Sequence, residues 1–180
     1  MPELIPLFLF LHVMGAIIAF GPTFLLPYLS ARAGREPQHA NFMARASVAT
    51  SKGIILPVAL SMAVTGGLIM WSANINPMVP AYRWLLLSIG LYVFAILFAI
   101  FVQTPTGRRI VELTSGPPPG AGPPGAGGPP QGAGGPPPGG GPPPPELMAS
   151  IRRARLGGFI LMALVVAIAF LMVTKPQFGA

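Results

Sequence analysis

Four stretches of the chain are free of Asp, Glu, Lys and Arg: Leu4 to Ala31, Gly53 to Tyr82, Trp84 to Gly107, and Leu156 to Thr174. A helix crosses a hydrocarbon core of about 30 Å with roughly 20 residues at about 1.5 Å each, so every stretch can span a membrane. The second is longer than one span, and its polar segment from Ser72 to Pro80 reads as a loop before the next helix. The pattern predicts helices at 4–29, 52–71, 81–104 and 156–174 within a single transmembrane domain covering 1–180. The expected fold class is all-α, a polytopic membrane four-helix bundle.

Composition agrees. The 180 residues are 52% hydrophobic and 8% charged, against about 25% charged in an average soluble domain. A soluble core cannot absorb that much apolar surface. The first stretch lacks a basic leader and exceeds the apolar core of a signal peptide, so it reads as a retained helix.

Charge then orients the bundle. Arg32, Arg35, Arg45 and Lys52 lie between the first two predicted helices, and Arg108, Arg109, Arg152, Arg153 and Arg155 between the last two. Cytoplasmic connections carry an excess of Lys and Arg, so both of these should face the cytoplasm and both termini should lie outside. The net charge of +7 would suggest nucleic acid in a soluble chain. Here the cations flank apolar spans, where anionic lipid headgroups are the natural counter-charge, and Arg32, Arg35, Arg108, Arg109, Arg152, Arg153 and Arg155 are the candidate contacts. Nucleic acid is not an expected partner.

Residues 116–145 contain only Gly, Pro and Ala apart from Gln131. The glycine spacing breaks the strict every-third-residue rule of collagen at Pro119. Such a segment has nothing to bury and reads as a disordered, partly polyproline II cytoplasmic linker, with docking of its proline blocks onto an aromatic groove as the second reading.

The chain has no cysteine, which removes disulfides, thiolate metal sites and covalently attached c-type haem. It also lacks paired carboxylates, a nucleophile elbow, a phosphate loop and a His-Glu-x-x-His motif, so no enzyme activity is expected. Ionisable side chains inside a membrane are costly and mark function, and His12 alone lies well inside a span. Gly15, Ala16, Ala19 and Thr23 follow it at offsets three, four, seven and eleven, a stripe that should pack inward with Phe8, Phe10, Phe20 and Phe24 as bulk around it. From the predicted helix ends, His12 lies roughly 12 Å deep, and Thr65 and Ser61 roughly 9 and 15 Å deep. Ser88 and Tyr92 fall in the same band. His12, Ser61, Thr65, Ser88 and Tyr92 therefore form a candidate polar layer.

That layer admits two uses. A neutral His12 could ligate haem b or another metal or hydrogen-bond a quinone. Alternatively it donates to Ser61, Thr65 or Ser88 and holds helices together. The structural reading is preferred, since a bis-histidine haem needs a second intramembrane histidine and His39 lies in the cytoplasmic connection. Proline at 22, 27 and 57 should kink or end its helix, and the Gly66-Gly67 and Gly157-Gly158 pairs permit close helix approach.

The segment LHVMGAIIAFGP from Leu11 to Pro22 and the closing LMVTKP from Leu171 to Pro176 resemble a bacterial family of predicted four-helix integral membrane proteins of unknown function. That family is in turn distantly similar to the membrane domain of copper-resistance protein D. The resemblance covers the four helices and not the Gly/Pro insert. It implies a bundle in the bacterial cytoplasmic membrane with His12 as the position of interest, while the outer histidines or methionine cluster expected for copper are lacking. The expectation for function is a non-catalytic accessory or scaffold subunit packing against other membrane subunits, respiratory or photosynthetic. The alternative is a b-type haem or quinone-binding redox protein using His12, and a small-solute or copper permease stands third.

Overall fold

The computed structural model describes residues 2–33, 39–115 and 144–176. Those residues form helices and short connections, with no strand among them. After a 3-10 turn at Pro2–Leu4 come α1 (Ile5–Ala33), α2 (Ala40–Thr50), α3 (Leu56–Ser72), α4 (Arg83–Phe98), α5 (Thr104–Thr114) and α6 (Pro145–Thr174). A wide π turn at Ser51–Ile55 joins α2 to α3, and another at Ala99–Gln103 joins α4 to α5. Four continuous helices result, Ile5–Ala31, Asn41–Ser72, Pro80–Thr114 and Pro145–Thr174, each long and apolar enough to cross a membrane.

The helices run past the ends expected from hydropathy. The second and third continuous helices hold 32 and 35 residues, about 48 and 52 Å at a rise of about 1.5 Å per residue. That exceeds the hydrocarbon core by several turns. Lys52 and Arg108 end the apolar stretches without ending the helix, because backbone bonding within a helix is indifferent to where lipid gives way to water. The fourth helix likewise begins at Pro145 rather than 156, so the expected linker closes at its last proline, which suits a first helical turn where an N–H is not needed. The expected disorder of the Gly/Pro segment lies outside the described residues.

Prolines do not terminate the helices either. Pro22 and Pro27 sit inside α1. Pro57 and Pro105 each follow a π turn by one residue, and in both cases the preceding N–H reaches back five residues, Leu56 to the Ser51 carbonyl and Thr104 to the Ala99 carbonyl. A proline lacks the N–H for an i−4 bond and its ring clashes with that carbonyl, so the widened turn lets the helix pass it. The Thr104 hydroxyl also donates to the Ala99 carbonyl at 2.9 Å. On the opposite side of the bundle, α3 ends in a turn with Asn74 left-handed at φ 53°, and α6 ends at Lys175 with φ 45°.

Packing is most extensive between α1 and α3, followed equally by α4 against α6 and α2 against α5, with α1 also against α6. Beyond the π turns, α5 packs on both α2 and α6. The interior is thin: Ala19, Ala59, Met62, Leu85, Val165, Ile168 and Leu171 are its buried hydrophobics. Large apolar residues such as Phe101, Val173 and Trp71 point outward, which is the arrangement lipid demands, since it solvates them at no cost. The inward stripe on α1 is observed, with Gly15 and Ala19 buried and His12, Ala16 and Thr23 half-buried. Phe10 and Phe24 do not supply bulk beside it, being 60% and 44% exposed. At about 100° per residue, Phe10 stands some 200° from His12 and faces lipid instead.

Candidate functional site

Helix α1 brings His12 to α3, where the ring Nδ1 lies 3.0 Å from the Thr65 hydroxyl. Thr65 in turn donates to the Met62 carbonyl of its own helix at 3.2 Å. Nδ1 and the Thr65 hydroxyl share one hydrogen bond, whose direction follows the ring tautomer. Gly66 makes the approach possible, because a Cβ at that position would lie 3.3 Å from His12 Cε1. Counted from the helix ends at Ile5 and Ser72, both partners lie about 10 Å along their helices, so the match in depth is set by the pairing of α1 with α3.

The other expected members of the layer are used differently. Tyr92 on α4 reaches across to α3 and donates its hydroxyl to the Ala59 carbonyl. Ser88 is fully buried, yet its hydroxyl donates to the Trp84 carbonyl of its own helix at 2.8 Å. Ser61 is exposed and donates to the Val58 carbonyl at 2.7 Å. Short hydroxyl side chains satisfy themselves on the preceding turn in this way. The structure therefore brings His12 to Thr65, ties Tyr92 to the same helix a little under two turns away at Ala59, and leaves Ser61 and Ser88 outside the contact.

At the level of Ala59 and on toward the π turns, the four helices line a partly open cavity of about 60 Å³, walled by Phe20, Thr23, Ala59, Tyr92, Ile96 and Val165 among others. His12 does not line it. On its outer face α6 presents Phe159, Met162, Ala163, Val166, Ala167 and Phe170 as a shallow, open strip. It is almost wholly apolar.

A family model described as predicted integral membrane protein (DUF2269) matches residues 6–114. The chain belongs to that family. The matched region holds α1 to α5 with His12, Thr65 and Tyr92, and stops at the edge of the Gly/Pro insert. No curated protein and no solved structure matches the chain. Membership in this family of predicted integral membrane proteins agrees with the four spanning helices and extends to no stated activity. The likeness to copper-resistance protein D is not among these findings.

One polar residue of this family member escaped the sequence reading. Gln103, the last residue of the second π turn, donates from Nε2 to the Ala154 carbonyl of α6 at 2.9 Å. Its Oε1 is buried without a hydrogen-bond partner. A Cβ at Gly157 would collide with that oxygen, so the Gly157-Gly158 pair admits the Gln103 amide rather than simply a neighbouring backbone. Uncharged and followed by Thr104, Pro105 and Thr106, Gln103 was hidden inside a charge-free stretch. The available signal was a lone amide in hydrocarbon, which needs a partner wherever it lands. Among the described residues no cluster of three His, Asp or Glu side chains could hold a metal ion.

Proposed function

We propose that this integral membrane protein is a non-catalytic accessory or scaffold subunit that packs its α6 face against a larger membrane complex. The observation that carries the reading is the outward strip of α6 in which the small residues Ala163 and Ala167 leave a shallow dip between Phe159 and Phe170, open to the surrounding membrane. Small residues let a neighbouring helix approach closely, and van der Waals packing rather than water exclusion drives such association in lipid. The interior polar groups support the same reading. His12, Tyr92 and Gln103 each spend a hydrogen bond on joining one helix to another.

The runner-up is a b-type haem or quinone contact at His12. It is favoured by the Thr65 hydrogen bond, which orients the ring as outer-shell partners orient metal-binding imidazoles. The residues do not fit an enclosed haem, however. The interior cavity of about 60 Å³ falls well short of the roughly 300 Å³ at which ligand pockets begin, and the donor set offers a single histidine. In either reading we propose a bacterial cytoplasmic membrane as the location, and the charge asymmetry supports a cytoplasmic basic end with both termini outside.

Purification in mild detergent, with identification of co-migrating proteins and a visible absorption spectrum, tests the reading. The expected result is a stable co-purifying membrane subunit, lost when Ala163 and Ala167 are replaced by Leu, and no Soret band. A protein that runs alone and carries a Soret band abolished by His12→Ala would replace the accessory reading with the redox one.

A further inference from the structure

Membrane depth can be read along each helix at the end where the basic residues gather. Twenty residues at about 1.5 Å cross a core of about 30 Å. Counted from the far ends of the helices, that crossing finishes near Leu25 in α1, Lys52 in the π turn before α3, Gln103 in the π turn before α5, and Ala154 in α6. Contacts made across the bundle agree with this level. Gln103 bonds Ala154, and a Cβ on Gly158 would lie 3.7 Å from the ring of Pro27. The next 5–7 Å or so along each helix is the headgroup layer.

Lys52, Arg108, Arg109, Arg152, Arg153 and Arg155 all fall at or close to that layer. Among the described residues two carboxylates accompany them, and Arg109 takes both, Glu112 at 3.2 Å and Glu146 at 2.9 Å. Arg109 therefore serves as an internal latch from α5 to α6. The other five are exposed, and among the described residues no carboxylate lies within salt-bridge distance of any of them. Three polar latches hold them at fixed depth: Arg109 on Glu146, Gln103 on Ala154, and the Asn41 amide on the end of α5, donating to the Val111 carbonyl and to the Thr114 and Ser115 hydroxyls at 3.0–3.3 Å.

The apolar side of the same level completes the pattern. Ile54, Phe101 and Leu156 are exposed at 45%, 72% and 62%. They lie just inside the cations in depth, and Phe101, seven residues before Arg108, shares its helix face. A cation above an outward apolar side chain matches a ligand with a phosphate above an acyl chain. A soluble phosphate or an acidic protein surface would make no use of the apolar half.

We infer that the basic end of the bundle is a binding collar for anionic phospholipids, in which Lys52, Arg108, Arg152, Arg153 and Arg155 engage headgroup phosphates and Arg109 does not. The inference needs only that the four helices cross the membrane, and it stands apart from the accessory reading. Native mass spectrometry of the intact chain, released from micelles with an equimolar mixture of phosphatidylglycerol and phosphatidylcholine, counts the lipids retained. Wild type should retain phosphatidylglycerol preferentially. Each neutralised collar cation should weaken that preference about five-fold, so R108Q/R152Q/R153Q/R155Q should abolish it, and the same four changes to Lys should keep most of it. R109Q should retain the preference while lowering the thermal midpoint.

Equal retention of the two lipids by wild type would overturn the inference, and that readout needs no variant to fold. So would a loss of preference in R109Q as large as in the quadruple Gln variant. Displacement of phosphatidylglycerol by inorganic phosphate at matched concentration would assign the site to soluble phosphate instead.

Discussion

At the residue scale the structure turns on side chains that would be unremarkable in water. The His12 to Thr65 contact is a single neutral hydrogen bond between α1 and α3, and such bonds in membrane bundles contribute about 0.6 kcal/mol on average and up to about 1.7 kcal/mol. A double-mutant cycle with His12→Ala and Thr65→Val, followed by reversible unfolding in detergent, should return a coupling energy in that range. Additive losses would mean the two side chains do not act on each other. His12 was legible as the one ionisable group deep in a span, but its partner was legible only as one of three hydroxyls. Periodicity places Ser61 near Thr65 along the helix without saying that it faces lipid, and it cannot say that Ser88 prefers the Trp84 carbonyl. Such choices depend on helix rotation to within a few tens of degrees, which a chain apolar on every face does not encode in its hydropathy.

Elements are governed by backbone donors more than by hydropathy. Both π turns stand one residue before a proline, so the sequence signals that suggested kinks and helix ends are accommodated within continuous helices. Replacing Pro105 with Ala restores the missing donor and lets the wide turn close to ordinary α geometry. Removing one residue's worth of widening rotates α5 by about 100°, which carries Thr114 away from Asn41 and Arg109 away from Glu146. Cysteines placed at Asn41 and Thr114 in this cysteine-free chain should cross-link readily, and the yield should fall sharply when Pro105→Ala is added. An unchanged yield would show that packing, not the proline, sets the register. A second test belongs to the α5–α6 contact: Gly157→Ala drives a methyl into the Gln103 amide, so its thermal midpoint should drop by several degrees. Shortening the intruding amide with Gln103→Ala in the same chain should recover part of the loss.

The whole molecule is a spanning bundle that continues beyond the membrane on one side as a stub of α2, α5 and the start of α6. The four crossings and the all-α class were legible because charge-free stretches of that length have few other uses, and family membership agrees with them. The stub was not legible, since Arg and Lys mark where lipid ends and helices do not stop there. This even number of crossings, with the basic connections together on one side, underlies the depth argument, the lipid collar and the proposed docking of α6. The most direct test is single-cysteine labelling with a membrane-impermeant thiol reagent, using Asn74→Cys, Arg45→Cys and Ser150→Cys in right-side-out and inverted vesicles. The account predicts that Asn74→Cys reacts from the outside alone, and that Arg45→Cys and Ser150→Cys react only in inverted vesicles. Labelling of Asn74→Cys and Ser150→Cys from the same side would contradict it.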